Sequence, residues 1–326
     1  MRNRNEALTC WIEEQLGISG YKLTPASEDA SFRQYFRITY NGNSAIIMDA
    51  PPDKEDCGPY IDVETRLANV GVNVPRILQM DLNQGFILIT DLGKTLYLDQ
   101  LQDSNVDKLY GDALMSLSRI QKEASSAGLP DYDEQLLRQE ISLFTDWLMK
   151  KHLGIVLTGE QLGQLEDLSA LLVENALHQP RVFVHRDYHS RNLMYCEQDN
   201  PGIVDFQDAV YGPLTYDLVS LLKDCYIKWP RERINQWATD YCRKYVPGID
   251  DKTLFLRWFD LMGVQRHLKA SGIFTRLFLR DGKAGYLKDI PRTLSYIVDL
   301  ERDYPELSFL ISLITGEIQP GLMEKQ

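Results

Sequence analysis

Residues 185–192 read H-R-D-Y-H-S-R-N, and Asp205-Phe206-Gln207 follows after a short hairpin-like segment. An Asp five residues before an Asn, then a second Asp beyond an apolar strand, is the minimum set for moving the γ-phosphoryl group of ATP. In that chemistry the first carboxylate, Asp187, accepts the proton of the attacking hydroxyl. Asn192 and Asp205 hold the magnesium ions that bridge the phosphates. The context fits. Arg181–Val184 is an apolar strand entering the motif, Leu193–Cys196 a strand leaving it, and Gly202–Val204 a third that delivers Asp205.

Composition sets the bounds. The chain has 326 residues, 44% hydrophobic and 25% charged, enough for two lobes. No apolar run approaches the ~20 residues of a membrane span, and the start, M-R-N-R-N-E-A-L, lacks a signal-peptide core. The five cysteines are scattered without a C-x-x-C pair, which reads as reduced thiols in the cytoplasm and no zinc site. A net charge of −12 argues against nucleic acid or an anionic membrane as partner. Nothing points to an obligate protein partner.

Periodicity gives an α+β architecture. Leu8–Leu16 reads as a short helix and Tyr21–Pro25 as a strand. Phe32–Tyr40 and Ser44–Asp49 are strands joined by Asn41-Gly42-Asn43, a hairpin signal. Tyr60–Val70 has helical spacing, and Val74–Asp81 with Gly85–Asp91 forms a second hairpin. Leu92-Gly93 is the expected hinge. The expectation is bilobal and protein-kinase-like: an antiparallel-sheet lobe over residues 1–92 that binds nucleotide, and a mostly helical lobe over 93–326 that carries catalysis and substrate. Helical stripes recur at Val106–Lys122, Glu134–His152, Thr158–His178, Thr215–Tyr226, Glu232–Tyr245, Leu254–Arg280 and Leu287–Asp303. Thr158 with Gln161 reads as a capping box.

Only about ten residues separate Asp205 from the next helix, and no A-P-E motif is among them. A protein kinase places a long phosphorylatable segment there, so a small-molecule acceptor is expected. Asp217 reads equally as a carboxylate holding the catalytic loop through backbone N–H groups or as an ordinary acid at a helix start.

The stretches 185–192 and 203–219 resemble the aminoglycoside phosphotransferase and choline kinase superfamily. More narrowly, D-A-S-F-R-Q-Y-F-R (29–37), I-M-D-A-P-P (47–52), G-V-N-V-P-R-I-L (71–78), Q-R-H-L-K-A-S-G-I-F-T-R-L (265–277) and R-D-G-K (280–283) resemble bacterial anomeric kinases of N-acetylmuramate and N-acetylglucosamine. The resemblance runs almost end to end. It implies ATP and Mg2+ as cofactors, an amino sugar as substrate, and a place in cell-wall sugar recycling.

Two departures from the kinase pattern stand out. The loop Ala26–Ser31 has no glycine, leaving the Ser31 hydroxyl as a candidate phosphate donor. The third strand has no lysine: Met48 sits where one belongs, and the stretch 23–53 contains none. Arg33 and Arg37, four apart on one expected strand, are candidate replacements, or both are solvated arginines at a strand edge. Glu64 would pair with the replacement cation, or is an exposed helix acid. Asp91, beside the hinge, completes the candidate nucleotide-binding set. Arg266, His267, Lys269, Arg276 and Arg280 read either as a solvated basic face or as partners for an anionic substituent. His189 reads as a loop organiser. An aminoglycoside- or choline-type kinase, or a nucleotide-binding pseudokinase regulating a partner, remain as alternatives.

Overall fold

Asn41 and Gly42 both take positive φ, 48° and 78°, the geometry of a two-residue turn whose twist matches its flanking strands. They join β2 (Gln34–Tyr40) to β3 (Asn43–Asp49), whose register runs from Tyr40↔Asn43 to Gln34↔Asp49 without a bulge. The structure, a computed structural model, describes residues 4–28 and 32–325. With β1 (Lys22–Glu28), β4 (Ile77–Asp81) and β5 (Phe86–Thr90), the hairpin forms an antiparallel sheet in the order β1-β2-β3-β5-β4. The α+β expectation holds.

Strand alternation divides this sheet into two faces. Ile38, Ala45, Ile47, Phe86 and Leu88 pack on Leu8, Trp11 and Ile12 from α1 (Arg4–Cys10) and the helical turn that prolongs it to Gln15. The Trp11 and Phe86 rings lie 5.4 Å apart. Arg4 sits 4.2 Å above Phe86 and pairs with the buried Asp49. The opposite face carries Tyr35, Arg37, Ile46 and Met48, in the register Tyr35↔Met48 and Arg37↔Ile46. Helix α2 (Gly58–Asn69) lies between β3 and β4 in the chain.

The chain divides into two compact units, and the first is not continuous in sequence: residues up to Gln100 group with Asn192–Asp208. Backbone pairing explains this. β7 (Leu193–Met194) and β8 (Gly202–Ile203) form a two-stranded ladder, Met194 bridges Leu96, and Gly202 bridges Asn73. Tyr195 N–H donates to Thr95 O at 2.8 Å. The short helix α3 (Tyr97–Gln100) ends the first stretch.

The second unit, Leu101–Arg191 with the residues from Ala209 onward, is mostly helical. It holds α4 (Val106–Glu123), α5 (Glu134–Leu143, prolonged by a wider helical segment to Leu153) and α6 (Gly159–Leu177). Thr158 and Gln161 form the expected reciprocal cap, at 3.2 and 2.9 Å. β6 (Arg181–Val184) pairs with β9 (Val210–Pro213), a strand sequence reading missed. Helices α7 (Tyr216–Leu222), α8 (Arg231–Tyr245), α9 (Lys252–Asp281), α10 (Ile290–Val298), α11 (Ser308–Leu313) and α12 (Gln319–Glu324) complete it.

Helix α9, 30 residues long, is buried along most of its length because α5, α6, α7, α8 and α10 all pack on it. Gly272 permits the closest approach: a Cβ there would lie 2.3 Å from the Leu143 carbonyl carbon. Rigid backbone cannot give way as a side-chain tip can, so Gly272→Ala should lower stability by roughly 1–3 kcal/mol despite alanine's better helix propensity. A urea midpoint at or above wild type would contradict this packing.

Candidate active site

The catalytic loop hangs from strand β6, and one buried carboxylate shapes it. Asp217, fully buried on α7, accepts the backbone N–H of His185 at 2.7 Å and of Arg186 at 3.0 Å. Of the two readings open for Asp217, the structure selects the carboxylate that holds the loop. Arg186 takes a left-handed φ of 76°, a conformation costing a non-glycine residue about 1–3 kcal/mol unless its surroundings enforce it. The loop is further fixed by Tyr188 OH on Ala113 O at 2.8 Å and by Ser190 N–H on Asp224 at 2.9 Å. His189 packs edge-on against Tyr226, 5.3 Å between ring centroids, and its buried Nδ1 has no hydrogen-bond partner among the described residues, so the hydrogen-bonded organiser expected there is not seen.

The environment of Asp187 is cationic. Burial pushes its pKa up, but the charge of Lys269, followed by those of His189, Arg266 and Arg186, outweighs burial and leaves it below the ordinary value. Asp187 is therefore held in its charged, weakly basic form. Burial pushes Asp217 the other way, up to about 7, against the two N–H bonds that favour its charged form.

The metal-binding candidates lie in the other unit and are together there. Asn192 Nδ2 donates to Asp205 at 3.1 Å, and Val204 N–H donates to Asn192 O at 3.1 Å, so the strands β7 and β8 set their spacing. Asp205 has φ 63°, and Gln207 Nε2 donates to its other oxygen at 2.9 Å. Phe206 is fully buried, 4.9 Å from the Tyr60 ring on α2. A carboxylate and an amide side by side are hard oxygen donors, suited to Mg2+, which takes one or two protein ligands beside substrate phosphates.

The nucleotide candidates do not converge on one point. Ser31 lies outside the described residues. Arg33 precedes β2 instead of sharing it with Arg37. Its charge reaches Cys57 and Tyr60, whose pKa values burial nonetheless raises. Arg37 is bound to Asp91 by two bonds, at 2.6 and 2.9 Å, and to Gly93 O at 2.6 Å; Ser44 adds a bond to Asp91 at 2.7 Å. Arg37 and Asp91 thus clamp the expected hinge, and Met48 is fully buried. Glu64 is buried and pairs with neither arginine: its partner is Arg76, at 3.2 Å, just ahead of β4.

Comparison with known proteins places the chain in a family. Residues 22–255 match the model of the "Phosphotransferase enzyme family". The chain belongs to this phosphotransferase family. It is 46% identical over 330 residues to the N-acetylmuramate/N-acetylglucosamine kinase of Pseudomonas aeruginosa, covering 96% of each chain. The like-named kinase of Neisseria meningitidis is 42% identical, with 95% of each chain covered. Among solved structures, a GDP complex of an aminoglycoside 2'-phosphotransferase superposes with TM-score 0.63 at 16% identity, covering 90% of this chain and 99% of that one. A Plasmodium vivax ethanolamine kinase does so with TM-score 0.63 at 9% identity, covering 90% and 89%. These likenesses show a protein-kinase-like phosphotransferase fold, and the chain is a kinase.

Within this phosphotransferase, the basic stretch on α9 is not a solvated face. Arg266, His267 and Lys269 are buried. Arg266 contacts Cys225 Sγ at 3.5 Å, His267 the Lys223 carbonyl at 2.9 Å, and Lys269 both Glu140 and Tyr216 OH at 2.9 Å. Arg280 is exposed and pairs with Asp281. Sequence reading missed Glu140 and Arg76. A signal for Glu140 was present: it falls between Leu137 and Ile141, in the apolar stripe of α5.

Asp217→Asn keeps the shape but supplies one acceptor oxygen for two buried N–H groups. An unpaired buried donor costs about 1–3 kcal/mol, so kcat should fall roughly 10- to 100-fold with KM little changed. A second readout follows from linkage. A carboxyl whose folded pKa is raised stabilises the fold at low pH, and that contribution fades as pH rises toward about 7. The variant should lack this slope in melting temperature. Wild-type kcat in Asp217→Asn would show that the loop does not depend on it.

Proposed function

We propose that this chain is an ATP-dependent kinase of N-acetylmuramate and N-acetylglucosamine that phosphorylates the anomeric hydroxyl, serving recycling of cell-wall sugars. The observation that carries the reading is the Asp187, Asn192 and Asp205 set in a chain that matches such kinases end to end at 46% identity. Asp187 orients the acceptor hydroxyl and collects its proton. An anomeric hydroxyl is more acidic than an ordinary alcohol, so a carboxylate held below its usual pKa suffices, taking the proton late in a loose transition state. Asn192 and Asp205 would hold Mg2+, which would neutralise charge on the phosphates. Functionally, residues 1–92, with Asn192 and Asp205, would supply the nucleotide side and the rest of 93–326 the base and the acceptor side, in the cytoplasm where ATP is available.

Arg276 supports an anionic acceptor. Lys269 and Arg280 are paired with carboxylates, whereas Arg266 and the half-buried Arg276 each have an Nε with no hydrogen-bond partner among the described residues. A guanidinium in that state suits a lactyl carboxylate. Arg33, Arg37 and Arg76 stand as the candidates to replace the missing lysine, Arg37 paired with Asp91 and Arg76 with Glu64.

Esterifying the anomeric centre removes the reducing end. Incubation of either sugar with ATP and Mg2+ should therefore give ADP, an equal loss of reducing ends and a product that releases phosphate in mild acid. ADP formation with reducing ends intact would place the phosphate on another hydroxyl. No ADP with either sugar would overturn the substrate reading.

A further inference from the structure

Arg186 stands one residue before the catalytic carboxylate, and its guanidinium turns to a buried anion. Glu140, on α5 and 3% exposed, meets Arg186 Nη2 at 2.5 Å and Lys269 Nζ at 2.9 Å, both through Oε1. Its Oε2 accepts the Tyr132 hydroxyl. Lys269, from α9, also donates to Tyr216 OH on α7 at 2.9 Å. Tyr132 is seated by a glycine: a Cβ on Gly212 would lie 2.8 Å from the Tyr132 Cβ. Glu140 on α5 thus joins the catalytic loop to α9, and Lys269 carries the connection on to α7.

We propose that Glu140 is a permanent anion that does for Arg186 what an added phosphate does in regulated kinases, and that Glu140 and Lys269 position the loop around Asp187. In regulated protein kinases, new arginine–phosphate pairs order the activation segment. Here ten residues, 206–215, lie between Asp205 and α7, and the anion comes from α5 instead. A glutamate inside the fold cannot be added or removed, so the loop is set as soon as the chain folds.

The charges also balance in a particular way. Glu140 faces two cations, Arg186 and Lys269, so the cluster alone carries one surplus positive charge. Asp187 supplies the opposing charge, and buried charges left unpaired are strongly unfavourable. The groups facing Asp187 are Lys269 and Arg266 from α9, His185, Arg186 and His189 within its own loop, and Asp217 from α7. Of the cations, Lys269 exerts the largest effect on it. Sign follows directly: removing that positive charge raises the Asp187 pKa, so activity is lost at higher pH on acidification.

Lys269→Met tests this, with Lys269→Arg as the conservative control. The acid limb of kcat should move up by roughly 1–3 pH units in Lys269→Met, and Lys269→Arg should return it toward wild type. Glu140→Gln strands two buried cations and is expected to melt lower. Glu140→Gln/Lys269→Met removes one charge of each sign, so it should regain melting temperature while kcat stays at least tenfold low. An activity-independent readout separates this idea from the choice of sugar: the carboxyl titration of Asp187 by 13C NMR, assigned by its loss in Asp187→Asn. If Lys269→Met leaves both the titration and the acid limb at wild-type positions, or if the folded double variant has wild-type kcat, the proposal is overturned. Protein free of phosphate by mass spectrometry should be fully active, and a requirement for phosphorylation would overturn it equally.

Discussion

Two backbone N–H groups, on His185 and Arg186, point at one buried carboxylate, Asp217, and the catalytic loop takes its shape from that constraint. Without it, Arg186 would have little reason to hold a left-handed φ, and Asp187 would not be presented at the end of β6. The cost is a charge far from water, visible in the raised pKa of Asp217. Glu140 applies the same device to a side chain, with two cations and a phenol taking its two oxygens. Buried charge here fixes geometry, a use better attested than raw stabilisation.

The first unit solves a different problem, that of setting an amide and a carboxylate side by side. It does so with backbone. The β7–β8 ladder brings Asn192 beside Asp205, and Phe206 buried against Tyr60 ties that ladder to α2, the helix that also carries Glu64. At the sheet's other end, Arg37 and Asp91 lock the segment leading to Gly93. That clamp engages Arg37, which shares a sheet face with Met48, with the segment leading to Gly93.

Much of this was legible in the sequence because it rests on local chemistry. Asn41-Gly42 can form its turn with positive φ whatever surrounds it, and the 185–192 and 205 spacing names its residues by chemical type. What escaped depended on long-range packing. β9 is four residues of V-Y-G-P, too short to show alternation, and exists because β6 offers it an edge. The Arg266–Lys269 stretch reads as solvated only while α9 is taken as a surface helix; covering it on several sides buries the same residues against Cys225, Lys223, Glu140 and Tyr216. Glu64 was open between a partner for Arg33 or Arg37 and an exposed helix acid; it is buried and pairs with Arg76, which nothing local singles out.

The central claim is that Asp187 is the base and does not hold the nucleotide. The most direct measurement compares Asp187→Asn with wild type for turnover of ATP with the sugar acceptor and, on the same protein, for Mg-ATP binding by titration calorimetry. The account predicts turnover lower by roughly 10²–10⁴-fold, the share of a general base, with binding essentially unchanged. Near-normal turnover in the folded variant would contradict it.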